Sequence, residues 1–209
     1  MEYAVIIGNG DLDLTQIMEE LISAAKIVVC ADGGANQAHI HGIIPDWIVG
    51  DFDSLNRCAR DFFQDRSQLY FQGEQETSDL EKCLNFVLEK GWRQVVLMGV
   101  QGTRSDHFFY TCRLLYQYRH LLQVTIINRW EKITLVNDSF KFDTLGQKVS
   151  IMGWPFASGV TSYGLKYPLT DVCLDFDQSF SLSNEVEKVP ARIEINVGAI
   201  LVFQLLEEC

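Results

Sequence analysis

Asp51 and Asp53 stand two residues apart in Gly50-Asp51-Phe52-Asp53-Ser54, directly after the apolar run Trp47-Ile48-Val49, where a strand would run into a turn. Alternate residues of an extended segment point the same way, so both carboxylates can face one cation while Phe52 packs on the other side. The same residues would also serve a polar turn in which Ser54 caps the next helix. Two further aspartates have comparable settings, Asp79 in Thr77-Ser78-Asp79-Leu80-Glu81-Lys82 and Asp106 in Gly102-Thr103-Arg104-Ser105-Asp106-His107. Oxygen-only ligands of this kind suit Mg²⁺, which keeps several waters and bridges a protein to substrate phosphates. Phosphoryl transfer is the chemistry such a set would serve.

Each of these residues also has a structural reading. Asp79 at the start of an amphipathic helix is favoured by the helix dipole, and Lys82, one turn on, is either a phosphate contact or its salt-bridge partner. In the loop bounded by Gly99 and Gly102, Arg104 could stabilise phosphate charge and Asp106 could bind metal or accept a proton. His107 could act as a base or stack on a ring, or it could simply be buried, with Ser105 or Asp106 capping the helix that follows. Asp32-Gly33-Gly34-Ala35-Asn36 resembles a phosphate-cradling turn, because two glycines after a strand let backbone N–H groups approach an anion. It is not a P-loop, and Gly8-Asn9-Gly10 has Asp13 where a dinucleotide fingerprint needs glycine.

The elements that must position these residues change character along the chain. Up to about residue 128, apolar strand candidates (Tyr3 to Ile7, Ile27 to Ala31, Trp47 to Val49, Gln68 to Phe71, Gln94 to Met98, Gln123 to Ile127) alternate with helical spacing. The helical patterns are Leu14-Ile17-Met18-Leu21-Ile22 and Leu80-Cys83-Leu84-Val87-Leu88. A parallel sheet with helices on its faces follows, and the Gly- and Asp-rich loops at the carboxyl ends of its strands should share one rim. Beyond about residue 131 helical spacing disappears, and strand formers take over at Ile133 to Val136, Phe140 to Phe142, Lys148 to Met152, Ala191 to Val197 and Ala199 to Leu206. The expected fold class is α/β plus all-β: a mostly parallel α/β sandwich domain over residues 1–130, then a β-sandwich domain over 131–209.

Composition excludes several classes. With 209 residues and 47% hydrophobic content, the chain can bury a sizeable core without staples. Seventeen basic against 28 acidic residues give a formal charge of −11, the opposite of a nucleic-acid surface. An acidic protein that handles phosphate must screen it with a metal and a few well-placed basic groups. The cysteines Cys30, Cys58, Cys83, Cys112, Cys173 and Cys209 show no paired spacing and read as reduced, mostly core residues of a cytoplasmic protein. The N-terminus has no signal-peptide pattern and no apolar run approaches the roughly 20 residues of a membrane span, so neither secretion nor a membrane is expected.

In this order, Ala31-Asp32-Gly33-Gly34-Ala35-Asn36, Gly50-Asp51-Phe52-Asp53-Ser54, Ser78-Asp79-Leu80-Glu81-Lys82 and Gly99-x-x-Gly102-x-Arg104-x-Asp106-His107 resemble the thiamine pyrophosphokinase family. The resemblance continues through Gly159-Val160-Thr161-Ser162-Tyr163-Gly164-Leu165-Lys166-Tyr167-Pro168-Leu169 and Leu182-Ser183-Asn184-Glu185, and so covers nearly the whole chain. It implies transfer of the diphosphate of ATP to the hydroxyl of thiamine, with Mg²⁺ as cofactor. The α/β domain would hold ATP, the β domain thiamine, and a homodimer would place its active sites at the subunit interface. By the same resemblance Asp51, Asp53 and Asp79 surround metal and triphosphate, and Asp106 completes the acidic cluster. Arg104 and Lys82 meet phosphate oxygens, while Asp32, Gly33, Gly34, Asn36 and His107 belong to the nucleotide pocket. Ser183 and Asn184 lie near the thiamine pyrimidine, and Trp154 and Tyr163 are aromatic candidates for the thiazolium.

The chain departs from the family pattern at Ser78, where threonine is common, and at Phe108-Phe109-Tyr110-Thr111-Cys112, where the family runs through small residues to an asparagine. Either Asp79 or Asp106 could take the hydroxyl proton, or the metal alone could acidify it. The competing readings are a Mg²⁺-dependent phosphohydrolase, with water as nucleophile, and a non-catalytic nucleotide-binding protein.

Overall fold

The computed structural model describes residues 2–177 and 181–206, and the chain divides into two compact units, Met1–Arg129 and Trp130–Cys209. In the first unit the elements run β1 (Ala4–Ile7), α1 (Gln16–Ala24), β2 (Ile27–Ala31), α2 (Gly34–Ile40), β3 (Trp47–Gly50), α3 (Arg57–Phe63), β4 (Gln68–Phe71), α4 (Asp79–Glu89), β5 (Gln94–Met98), α5 (Ser105–Tyr118) and β6 (Gln123–Ile127). Every strand pair is parallel, in the order β4-β3-β2-β1-β5-β6. Central strands covered on both faces must be apolar throughout, and all four residues of β1 are buried. Phe63 of α3 and Phe86 of α4 anchor the helices, with at most 1% of their surface exposed.

The chain winds outward from β1 through β2, β3 and β4, then returns to start β5 on β1's other side. That reversal leaves a crevice beyond the carboxyl ends of β1 and β5, the place where open α/β sheets bind ligands. The two loops there are tied together, Gly8 N–H donating to Met98 O (2.8 Å), Gly10 N–H to Gly99 O (2.7 Å) and Asp11 N–H to Gln101 O (2.7 Å).

In the second unit the strands are β7 (Glu131–Val136), β8 (Ser139–Phe142), β9 (Lys148–Tyr163), β10 (Val172–Asp175), β11 (Ser181–Glu185), β12 (Ala191–Glu194) and β13 (Val197–Leu205), paired antiparallel. The long β9 makes the architecture. Its first part pairs with β13, and beyond Gly159, at φ +67°, its end pairs with β12. A strand that bends and changes partners is how two sheets close over one core, here formed by residues such as Phe142, Ile151, Val160, Leu174, Ile193 and Val202.

Several expectations need adjusting. The run Lys148 to Met152 is only the start of a strand that continues through Gly153 and Pro155 to Tyr163, and the strands β10 and β11 lie where none was expected. Ala191 to Val197 is two elements, since β12 stops at Glu194 and β13 begins at Val197. Cys30, Cys83 and Cys112 are buried and Cys173 is half-buried, but Cys58 on α3 is exposed; Cys209 lies outside the described residues. Among the described residues no helix is long and apolar enough to cross a membrane.

Candidate active site

The loops after β1, β3 and β5, with Ala31 at the end of β2 and the segment entering α4, surround a cleft of about 820 Å³ in the first unit. It is lined by Gly8–Asp11, Asp51, Asp53, Ser54, Gln75–Asp79, Lys82, Gly99–Arg104, Asp106, His107 and Tyr110, so the loops after β1, β3 and β5 share one rim while Asp32-Gly33-Gly34 after β2 does not line it.

Behind Asp51 and Asp53 of this lining lies buried Asp32, and the three carboxylates each present an oxygen within 4.8 Å of the others. The extended geometry expected for Asp51-Phe52-Asp53 is absent. β3 ends at Gly50, and Phe52 sits in the left-handed region at φ +67°, so a turn rather than a strand aims the two carboxylates. Asp51 Oδ1 accepts from Asp53 N–H (3.1 Å), and Asp51 Oδ2 from Gln75 Nε2 (2.8 Å). The Asp53 amide, followed by Gln75, holds the Asp51 carboxyl below its ordinary value. Glycine is required at position 50, because a Cβ there would lie 2.7 Å from Asp32 Cβ. Asn56, not Ser54, caps α3, accepting from Ala59 N–H at 2.9 Å.

Asp32 is fully buried and ends β2 at φ +31°. Its Oδ2 accepts from Ser54 N–H (3.3 Å), whereas its Oδ1 is buried without a hydrogen-bond partner. Burial, together with the charges of Asp79 and Asp51, raises its carboxyl to about 6 even though the Ser54 amide pulls the other way. An orphaned, buried anionic oxygen facing two further carboxylates is an arrangement that a hard cation would satisfy. The donor set therefore fits a metal, with Asp32 a member alongside Asp51 and Asp53.

Asp79 opens α4, whose N-cap is Ser78, its Oγ accepting from Glu81 N–H at 3.3 Å. Asp79 Oδ1 lies 3.4 Å from the point a Gly50 Cβ would occupy and accepts from Lys82 Nζ at 3.1 Å. The Lys82 side chain is only 4% exposed. A buried ammonium needs such a partner, and here it lies beneath the acidic corner.

Across the cleft, Arg104 precedes α5 and clasps Asp106 through two hydrogen bonds, Nε to Oδ1 (2.9 Å) and Nη2 to Oδ2 (2.6 Å). The pair holds the Asp106 carboxyl well below the usual carboxylate range, and Asp106 is not part of the three-carboxylate cluster. Neither Ser105 nor Asp106 caps α5; Arg104 occupies that position without a side-chain cap. His107 is exposed on the rim, and its carbonyl accepts from Thr111 Oγ1 at 2.9 Å.

Gly33, Gly34 and Asn36 do not line the cleft. A Cβ on Gly33 would meet the Asn9 amide at 2.3 Å, and one on Gly34 would meet Ile7 O at 2.2 Å, so both glycines let α2 pack against the end of β1. Gly34→Ala is accordingly expected to destabilise the fold by about 1–3 kcal/mol, the cost of overpacking, as a lower midpoint in urea. The Asn36 amide is spent on the acidic loop, donating to Ser54 O (2.8 Å) and accepting from Asn56 N–H (3.0 Å).

Sequence reasoning passed over two cleft residues. Gln75 reaches Asp51 from 24 residues away. Tyr110 fills the wall beside α4, its hydroxyl donating to buried Glu81 at 2.6 Å, and Gln117 donates to the same carboxylate at 2.8 Å. The departure at Phe108–Cys112 was the only sequence signal pointing to this wall.

In the second unit, Asn184 is fully buried and all its hydrogen-bonding capacity is internal. Its Oδ1 accepts from Tyr167 N–H (3.0 Å) and Glu185 N–H (2.9 Å), and its Nδ2 donates to Tyr167 O (2.8 Å) and Ser181 Oγ (2.9 Å). It therefore fixes the Tyr167 turn. Ser183 is exposed, in the left-handed region at φ +54°. Trp154 packs edge-on to Phe176, and Tyr163 carries the Arg192 guanidinium over its ring at 4.2 Å.

The chain thus joins a parallel α/β unit, with an acidic cluster after β2 and β3, to a separate β unit. A curated thiamine pyrophosphokinase of Bacillus subtilis is 28% identical over 188 residues, covering 87% of this chain and 88% of its own. The crystal structure of thiamine pyrophosphokinase from Bacillus subtilis superposes with a TM-score of 0.84 at 21% identity over 100% of both chains. The yeast thiamin pyrophosphokinase structure gives 0.86 at 16% identity, over 98% of this chain and 86% of its own. At such identities the structural likeness speaks for the fold. The family follows from the sequence models: residues 18–127 match the thiamin pyrophosphokinase catalytic domain and residues 135–200 its vitamin B1 binding domain, so the chain belongs to the thiamin pyrophosphokinase family.

Proposed function

We infer that this chain is a thiamine diphosphokinase: the thiamine hydroxyl oxygen attacks the β-phosphorus of ATP, the bond from that phosphorus to the AMP oxygen breaks, and thiamine diphosphate and AMP leave. The observation that carries the site assignment is the gathering of Asp51 and Asp53, which line the cleft, with the buried Asp32 and its unsatisfied oxygen. These three residues would hold Mg²⁺, with Asp79 next to them. When bound, the ion supplies positive charge against the phosphate oxygens.

The remaining tasks fall to the chain itself. Phosphoryl transfer depends mainly on positioning and on charge placed in advance. Lys82, fixed by Asp79, and Arg104 on the opposite wall supply that charge to the triphosphate. Arg104, keeping its two bonds to Asp106, would offer its remaining N–H groups to phosphate oxygens, and His107 would lie beside the nucleotide. Asp79 is the better proton acceptor for the thiamine hydroxyl, because both oxygens of Asp106 are taken up by Arg104. Thiamine is recognised by the second unit, Ser183 contacting it and Asn184 fixing the neighbouring turn. Two copies assemble as a homodimer to complete each site.

Reaction in ¹⁸O-water separates this reading from hydrolysis. Transfer to thiamine leaves both AMP and thiamine diphosphate unlabelled. Label in the phosphate products of a thiamine-independent reaction would establish the hydrolase instead.

A further inference from the structure

We propose that Asn36 and Arg60 are positioning residues: they clamp the loop Asp51–Ser54 in the strained conformation that brings its carboxylates to Asp32, and so set the affinity of the site for its divalent cation. The inference rests on the metal reading above and goes beyond it, since neither residue touches the cation or a substrate.

The loop has two reasons to open. Phe52, a bulky residue, is held at φ +67°, a conformation that persists only where surrounding contacts over-determine it. Three carboxylates within 4.8 Å of one another also repel. The Asp53 and Ser54 amides and Gln75 offset part of that repulsion, but Asp32 Oδ1 stays buried without a hydrogen-bond partner.

The opposing contacts come from two short helices. From α3, Arg60 Nη2 donates to the carbonyl of the strained Phe52 at 2.9 Å. From α2, Asn36 donates to Ser54 O at 2.8 Å and accepts from Asn56 N–H at 3.0 Å, gripping the loop on both sides of Leu55. Asn36 lies one helical turn beyond Asp32, and the segment between them is rooted by buried Gly34 and Ala35. One rigid piece thus carries both a ligand and the clamp that delivers the other two ligands to it. Residues that orient metal ligands typically change affinity by about 10–100-fold when removed.

The test is titration of the purified protein with Mn²⁺, following the loss of the free-ion EPR signal, with thermal melting in EDTA alongside. Asn36→Ala should raise the Mn²⁺ dissociation constant about tenfold or more, and Arg60→Met by a smaller factor that Arg60→Lys largely restores. The Mg²⁺ concentration for half-maximal turnover should rise in parallel, with kcat recovered at high Mg²⁺. A merely structural role would lower the melting temperature in EDTA and leave the dissociation constant alone, and that result overturns the proposal. Asp53→Asn separates the two levels. If it abolishes Mn²⁺ binding while Asn36→Ala and Arg60→Met bind as the wild type does, the clamp is wrong and the metal site stands. If Asp53→Asn binds Mn²⁺ normally, or the wild type binds none, the metal reading falls and the clamp with it.

Discussion

Replacing either Asp51 or Asp53 by asparagine should lower turnover by on the order of 10³-fold, the scale reached when a group that stabilises transition-state charge is removed, while the protein stays folded. The exchange keeps size and shape, and an asparagine oxygen at position 51 still accepts from Asp53 N–H, the bond that closes the turn. What disappears is one negative charge from a trio within 4.8 Å. The like-charge repulsion falls, so the melting temperature should hold or rise even as catalysis is lost. Circular dichroism and melting establish the fold, and initial rates establish the loss. Near-normal rates in both variants would remove the acidic corner from the mechanism.

Asp32→Asn should separate stability from activity in the same direction and more sharply. The Asp32 carboxyl is raised to about 6 by burial and by neighbouring charge, against about 3.9 in an unfolded chain. A carboxyl whose folded value is raised favours folding while it is protonated, below the unfolded value, and that contribution is lost as pH climbs through about 4 to about 6. At neutral pH the metal-free protein therefore carries an ionised, buried carboxylate at a cost on the order of 2 kcal/mol. Asparagine removes the charge, can still accept from Ser54 N–H through its amide oxygen and tolerates the left-handed backbone at this position. In EDTA at pH 8 the variant should be more stable to urea than the wild type by about that amount, and the gap should close near pH 4. Its turnover should be lost. A variant less stable than the wild type at pH 8 would show that Asp32 is not held there at a cost, and the case for a waiting cation would weaken.

The parts of the fold that could be read in advance are those whose burial imposes a pattern. β2, β5 and β6 have the ends that their apolar runs mark, and α4 follows its three- and four-residue spacing; β4 keeps its expected bounds although it is a largely exposed edge strand. β10 has only three apolar residues, too short a run to mark a strand, and β11, with Leu182 and Ser183 exposed, has no apolar rhythm. β9 runs on past Met152 through Gly153, which is there because a Cβ would strike Leu174 O at 1.9 Å.

In the site, residue types were legible and their geometry was not. Asp51 and Asp53 stood out, but for an extended backbone that the structure replaces with a strained turn. Asp32 was read as part of a nucleotide pocket, and only its register beside β3, where its N–H donates to Val49 O at 2.9 Å, brings it to the other two. Asn36, Gln75 and the Tyr110–Glu81 pair act through partners 18 to 29 residues distant. No local pattern encodes such contacts.

The central claim is that diphosphate passes from ATP to thiamine in this chain's cleft. Purified protein with MgATP, with and without thiamine, should release AMP only when thiamine is present and in a one-to-one ratio with thiamine diphosphate, both quantified by chromatography. ADP or free phosphate formed at the same rate in the absence of thiamine would contradict it.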